Sequence, residues 1–202
     1  MGEIVIDADH VIKKFGQETV LQNVCLKVEK GTICGIIGRN GSGKTVLFKC
    51  ICGLLQIDGG TIRADRSRIG TIIEEPGFLK QYSGKRNLEL LAAMSGREHC
   101  SIEEILELVC LGSAGRKKVG KYSMGMKQRL GIAQAIMENQ SILILDEPMN
   151  GLDNKGVEEI RELFLTLKEQ GRTILLASHN RDDIEILCDE VYEMDRGILK
   201  KR

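Results

Sequence analysis

The chain carries no net charge: 29 lysines and arginines balance 29 aspartates and glutamates over 202 residues. A nucleic-acid-binding domain shows a basic stripe or a strongly basic balance. The basic clusters present, Lys117-Lys118 and Lys200-Lys201-Arg202, read as solvated surface, so no nucleic-acid partner is expected. No stretch approaches the roughly 18 consecutive apolar residues of a membrane-spanning helix, and any membrane role has to come through a partner. The N-terminus, Met-Gly-Glu-Ile-Val-Ile-Asp, is acidic and too short in its apolar run for a secretory signal. Position 6 is Ile6 rather than Ser or Thr, so the myristoylation pattern fails as well. A disulfide framework is also missing. The seven cysteines (Cys25, Cys34, Cys50, Cys52, Cys100, Cys110 and Cys188) are an odd number scattered through apolar runs, which predicts reduced core thiols. Cys50-Ile-Cys52 has one intervening residue and no partner pair, so no zinc site is expected there. There is no internal repeat and no low-complexity tract.

The chain is 42% hydrophobic, enough for one sizeable core. The first third is β-branched and apolar over Glu3–Ile6, Val20–Val28 and Thr32–Ile37, with turns at Phe15-Gly16-Gln17 and Lys30-Gly31. Val46–Leu55 has helical spacing. Asp58-Gly59-Gly60 reads as a turn, and 61–63 and 68–73 as strands. The middle changes character. Asn87–Met94, Ser101–Cys110 and Met124–Met137 have helical periodicity, and Ser101-x-x-Glu104 is a capping box. Strand and helix then alternate. Ser141–Leu145 and Thr173–Ala177 are continuous apolar runs, the pattern of parallel strands covered on both faces. Gly156–Gln170 and Asp182–Cys188 are helices, and Glu190–Met194 and Ile198–Lys200 close the chain as a hairpin. The pattern is α/β, a mostly parallel sheet with flanking helices.

Gly38-Arg39-Asn40-Gly41-Ser42-Gly43-Lys44-Thr45 matches G-x-x-x-x-G-K-[ST]. It follows a predicted strand and opens a predicted helix, the context that this motif needs. Its glycines let the loop curl with N–H groups inward as an anion nest, and the following helix start, with Val46 in its first turn, adds partial positive charge. Lys44 supplies a full charge for the β- and γ-phosphates, and Thr45 an oxygen ligand for Mg²⁺. The cofactors implied are ATP and Mg²⁺.

Ile142-Leu-Ile-Leu-Asp146-Glu147-Pro148 is an apolar strand ending in two carboxylates. Ligands gather at the carboxyl ends of parallel strands, which sets Asp146 beside the phosphate loop as a Mg²⁺ holder and Glu147 as a group that orients or deprotonates water. The bland alternative is a strand end with two solvated acids. His179 ends a further strand, where it can face the same crevice; a lone histidine there is otherwise structural.

The third signal is Tyr122-Ser-Met-Gly-Met-Lys-Gln-Arg-Leu-Gly131, in which Ser123 and Gly125 open a helix able to offer N–H groups and a hydroxyl to a phosphate. Phosphate loop, Ser123-x-Gly125, Asp146-Glu147, Gly151-Leu152-Asp153 and His179 follow in that order over nearly the whole chain. In this the sequence resembles the ATP-binding cassette ATPases. The resemblance implies a P-loop core with an N-terminal antiparallel β subdomain and an inserted helical subdomain, approximately 1–75 and 138–202 for the former and 76–137 for the latter, in one ATPase domain. It implies that residues 38–45 are the Walker A motif, that Asp146 is the Walker B magnesium residue and Glu147 the catalytic glutamate, that 149–153 is the D-loop and that His179 is the switch histidine. Phe15, in Lys-Lys-Phe-Gly before the first long strand, matches the aromatic that stacks on adenine; a core aromatic is the alternative.

Two departures mark a branch. Tyr122, Met124 and Met126 replace the Leu, Gly and Gln of the common Leu-Ser-Gly-Gly-Gln signature, while Ser123 and Gly125 remain. Glu74, four residues after Gly70, stands where the family has Gln, although the register also admits Glu75. The signature, with its Met-Lys-Gln-Arg-Leu continuation, is similar to the drug- and bacteriocin-export branch, and the Glu74 departure looks like the bacitracin-export and lantibiotic-immunity type. The resemblance implies ATP hydrolysis by a homo- or heterodimer of cassettes, each completed by its partner's Ser123 and Gly125, driving peptide-antibiotic, bacteriocin or drug export through separate permease subunits. It implies Glu74 as a third Mg²⁺ ligand, and a chain that is cytoplasmic, peripheral on the inner membrane face, with a coupling surface around 78–87. A soluble cassette of the iron–sulfur cluster-assembly kind is the alternative. Only 79 positions separate Lys44 from Ser123 (44 to 123), too few for the coiled-coil insertion of DNA-repair types. The chain ends soon after the closing hairpin, so no C-terminal regulatory domain is expected.

Overall fold

The computed structural model describes residues 2–202. Two sheets organise it. The first is antiparallel, in the order β2 (Glu18–Glu29), β1 (Ile4–Phe15), β4 (Gly59–Ala64). The second has six strands in the order β5 (Ile69–Ile72), β6 (Ile142–Asp146), β7 (Thr173–Ser178), β3 (Ile33–Ile37), β8 (Glu190–Asp195), β9 (Ile198–Lys201). All its neighbours are parallel except the β8–β9 hairpin. The helices are α1 (Lys44–Ile51), α2 (Gly84–Ser95), α3 (Ile102–Leu108), α4 (Met124–Ile136), α5 (Asn154–Glu169) and α6 (Arg181–Leu187).

The continuous apolar strands are explained by burial on both faces. Leu143 and Leu145 of β6 pack with Ile174 and Leu176 of β7 and with residues of α2 to α6. Their sequence neighbours Ile142, Ile144, Leu175 and Ala177 pack on the other face, with α1 and the antiparallel sheet. Successive side chains of a strand point to opposite faces, so each strand needs an apolar residue at every position. The strand order matters for function. β6, β7 and β3 are adjacent and parallel, so the chain after residues 37, 146 and 178 emerges on one edge of the sheet.

Several boundaries differ from the expectation. β1 and β2 are longer, because β1 lies between β2 and β4 and its polar residues still pair; Phe15 therefore ends the first long strand rather than preceding it. Gly59 and Gly60 belong to β4 and not to a turn, since β1 supplies partners as far as Ile12↔Gly59. α1 ends at Ile51, and Leu54 and Leu55 both donate to the Lys49 carbonyl instead of continuing the helix. α2 begins at Gly84, earlier than the apolar spacing predicted, because the Ser83 side chain caps it by accepting from the Arg86 N–H. The cysteines are all free, yet Cys25 and Cys110 are exposed, so the expectation of seven core thiols is corrected. Cys25 alternates outward on β2 between buried Val24 and Leu26. Burial pushes the Cys52 thiol up to about 12, which makes the Cys50-x-Cys52 segment a poor thiolate donor.

Candidate active site

The loop of residues 38–43 joins β3 to α1 and borders a cleft of about 630 Å³ lined by Gly38 to Ser42, His179, Arg181 and Arg196 among others. Gly43 caps α1 with no side-chain hydrogen bond, so the first N–H groups of that helix have no side-chain acceptor. Lys44 is buried, and its ammonium donates to the carbonyls of Gly38 at 2.7 Å and Arg39 at 3.3 Å. Its charge is thus held across the mouth of its own loop. The Ser42 hydroxyl is buried with no hydrogen-bond partner.

α1 and the end of β6 meet at Thr45, whose hydroxyl donates to Asp146 Oδ2 at 2.5 Å. Burial raises the Asp146 carboxyl above the ordinary carboxylate range. The Thr45 hydrogen bond offsets this in part, while the negative charges of Glu147 and Glu74 add to it. The site thus concentrates carboxylates on a partly buried group, which is the electrostatic condition of a cation site before its cation arrives.

Glu147 has φ of 50°, sparsely populated for a residue other than glycine. That turn aims its side chain back over the sheet edge. Oε2 accepts from the His179 ring at 2.8 Å and from the His179 N–H at 3.4 Å. An ionised carboxylate only accepts, so the proton in the ring contact sits on Nδ1. Oε1 is buried without a hydrogen-bond partner and lies 3.9 Å from the Lys44 ammonium. Ser42 Oγ in the phosphate loop and Glu147 Oε1 beside its lysine are thus two buried oxygens without partners. Buried polar atoms are rarely left so, and the donor set fits a phosphate with a divalent cation.

Glu74 does not join Thr45 and Asp146. Its carboxylate pairs with Lys49 at 2.7 Å, is largely exposed, and rests on a backbone with φ of 65°. Its charge still reaches Asp146. Lys49 was not singled out from the sequence; its signal was available, since it lies one helical turn after Thr45 on α1. Gln128 was missed too. From α4 it donates to the Glu147 carbonyl at 3.2 Å and so ties the signature helix to the carboxylate turn.

Ser123 caps α4 by accepting from the Met126 N–H at 3.2 Å. Gly125 packs so closely on residues 149–153 that a side chain there would meet the Gly151 carbonyl at 2.8 Å. No hydrogen bond joins either residue to the phosphate loop of the same chain. Tyr122 is buried, and its hydroxyl donates to the Ala114 carbonyl at 2.8 Å; it fills a core position where the family has Leu. Met124 is exposed and Met126 half-buried. Phe15 is exposed, with the Lys13 ammonium 5.1 Å from its ring centroid. It belongs to the β1–β2 hairpin, whose Val20 and Leu21 pack against Gly43 of the phosphate loop. The exposure of Phe15 corrects the core alternative.

The sequence profile of the ABC transporter family matches residues 21–150. The chain belongs to the ABC transporter family. It is an ATP-binding, ATP-hydrolysing cassette of that family. It is 42% identical to the bacitracin transport ATP-binding protein of Enterococcus faecalis over 98% of this chain and 68% of the relative. It is 39% identical to the lantibiotic transport ATP-binding protein of Streptococcus pyogenes over 94% of this chain and 87% of the relative. Among solved structures, the ATP-binding subunit of an ABC transporter aligns with a TM-score of 0.88 at 25% identity, covering 98% of this chain and 89% of that one. The ADP conformation of an ABC transporter cassette aligns at 0.83 and 26%, covering 98% and 90%. None of these relatives is a cluster-assembly ATPase, and that alternative is not favoured. No helix of the described residues is long and apolar enough to cross a membrane.

Proposed function

We propose that two cassettes, two copies of this chain or this chain and a related one, sandwich two ATP molecules and power export of a peptide antibiotic, bacteriocin or drug through separate permease subunits at the inner membrane face. The observation that carries the reading is Glu147. Its unpartnered Oε1 is held between Lys44 and the His179-anchored Oε2, where a carboxylate can orient the water that attacks a γ-phosphate.

Each chain residue has a distinct task. The N–H groups of Gly38 to Val46, with the Ser42 hydroxyl, bind the phosphates; Arg39 and Asn40 line the loop. Lys44 leaves its two carbonyl acceptors for phosphate oxygens. Phe15 stacks on the adenine. Thr45 and Asp146 hold Mg²⁺, and Glu74 joins them after releasing Lys49. Bound there, Mg²⁺ neutralises the charge of the β- and γ-phosphates. Glu147 receives the water's proton or fixes its orientation, and His179 keeps the carboxylate in place by donating from Nδ1. Ser123 and Gly125, which make no bond to their own phosphate loop, serve the ATP of the partner cassette. Residues 76–137 act as the helical subdomain of a single ATPase domain, with the segment around 78–87 meeting the permease. The similarity to bacitracin and lantibiotic transport proteins supports the substrate class.

The test is Glu147→Gln with ATP and Mg²⁺. The variant is expected to elute as an ATP-bound dimer on size exclusion and to lose turnover about a hundredfold or more, the scale of a general-base loss. Turnover at the wild-type rate overturns the role of Glu147, and a variant that stays monomeric with bound ATP overturns the sandwich.

A further inference from the structure

A second cluster of reactive side chains lies in the antiparallel sheet, and the nucleotide site does not use it. Asp9 and His10 of β1 and Cys25 of β2 each offer a ligand atom, all within 4.8 Å of one another. Among the described residues this is the one group of three His, Cys, Asp or Glu side chains that meets that spacing.

The cluster is made by a bulge. Ala8 pairs with Leu26 and Val11 with Val24, so two residues of β1 stand opposite the single residue Cys25. A regular strand would send Asp9 and His10 to opposite faces. Here both are exposed, between buried Ala8 and buried Val11, on the side where Cys25 is exposed. A bulge re-aims side chains in this way. His10 takes φ of 52°, and β4 locks the arrangement, because a side chain on Gly60 would collide with the His10 and Asp9 carbonyls.

The donor set is chemically specific. His10 Nδ1 lies 2.7 Å from Asp9 Oδ1, and Cys25 Sγ lies 4.0 Å from the same oxygen. Donors around one tetrahedral zinc stand about 3.5 Å apart, from bonds of about 2.0 to 2.3 Å; side-chain rotation alone covers the difference. The His10 backbone N–H donates to Cys25 Sγ at 3.4 Å, which ties Cys25 of β2 to the bulge of β1.

We propose that Asp9, His10 and Cys25 form a three-ligand surface site for Zn²⁺, with water in the fourth position. Thiolate with imidazole selects a borderline-soft cation over Mg²⁺, so the site does not compete for the metal of the nucleotide site. Binding releases the Cys25 thiol proton to solvent and leaves the dication neutralised by one thiolate and one carboxylate. It also cross-links β1 to β2 across the bulge.

The test uses the nucleotide-free, reduced protein in Mg²⁺-free buffer, titrated with Co²⁺ as a spectroscopic probe. The expected result is a thiolate-to-cobalt charge-transfer band that saturates at about one equivalent and is displaced by Zn²⁺. Cys25→Ser abolishes the band. His10→Ala weakens binding by more than the roughly tenfold that loss of an outer-shell partner costs. Cys110→Ser, which removes the other exposed thiol, leaves the band intact. Absence of a band in the wild type, its survival in Cys25→Ser, or its loss in Cys110→Ser overturns the site.

Discussion

Asp146 shows how one residue carries both a cost and a function. Its carboxyl is raised mainly by burial, so the folded, metal-free protein disfavours its charged form. A carboxylate raised on folding costs stability above its ordinary range, and the cost disappears as pH falls through its folded value. Asp146→Asn removes the charge and keeps an acceptor for the Thr45 hydroxyl. Without Mg²⁺ and ATP, the variant is expected to melt higher than wild type at neutral pH, and the gap should close on acidification. Its Mg²⁺-dependent ATPase should be lost. Differential scanning calorimetry against pH, with a turnover assay, checks both; a lower melting temperature at neutral pH contradicts the electrostatic account. At this scale the motifs named Lys44, Thr45, Asp146, Glu147 and His179 correctly as neighbours, because each follows or ends a parallel strand and ligand groups gather at the carboxyl edge of such a sheet. Gln128 escaped, since nothing in a glutamine on a helix says which carbonyl it meets, and Lys49 was passed over although its place one turn after Thr45 was readable.

Among the elements, α4 and α3 open on the same kind of serine cap. Ser123 caps α4 through the Met126 N–H, and Ser101 caps α3 in the same way through the Glu104 N–H. Loss of such a cap costs about 1 kcal/mol. Ser101→Ala is therefore expected to lower stability by about that amount with ATPase activity unchanged. Ser123→Ala is expected to lower stability equally and, under the proposed sandwich, to cut ATPase activity as well. Chemical denaturation alongside ATPase assays separates the two; equal effects of both variants on turnover would remove the special role of Ser123. The capping box at Ser101 and the start of α4 were legible from residue types and spacing. The start of α2 was not, because a cap at Ser83 precedes the apolar repeat that marks the helix.

At the scale of the whole molecule, the signature residues and the phosphate loop belong to different elements that no hydrogen bond connects within one chain. That separation is what the proposed sandwich of two cassettes requires. Coupling to a permease is a property of the same scale. Glu74 rests on Lys49, outside the Thr45–Asp146 pair, so the proposed Mg²⁺ role requires it to move, in a movement proposed to be tied to the membrane partner. Glu74→Gln keeps the shape and drops the charge. It is expected to change resistance to a peptide antibiotic in cells expressing the full transporter by a larger factor than it changes the KM for ATP. Unchanged resistance together with unchanged ATPase activity removes Glu74 from the coupling role.

The sequence by itself determined the phosphate loop, the Asp146-Glu147 strand end, the α/β alternation and the family, because each depends on residue type at short range. The helix start at Ser123 was readable for the same reason. Tertiary structure alone decided that Glu74 sits on Lys49, that Tyr122 is a core residue anchored on Ala114, and that Gly59 and Gly60 lie in a strand. It alone brought Asp9, His10 and Cys25 together. The physical reason is common to all of these. Which partner a side chain or strand edge meets depends on register between segments distant in sequence, and a single extra residue in a strand is enough to change the face on which a side chain emerges.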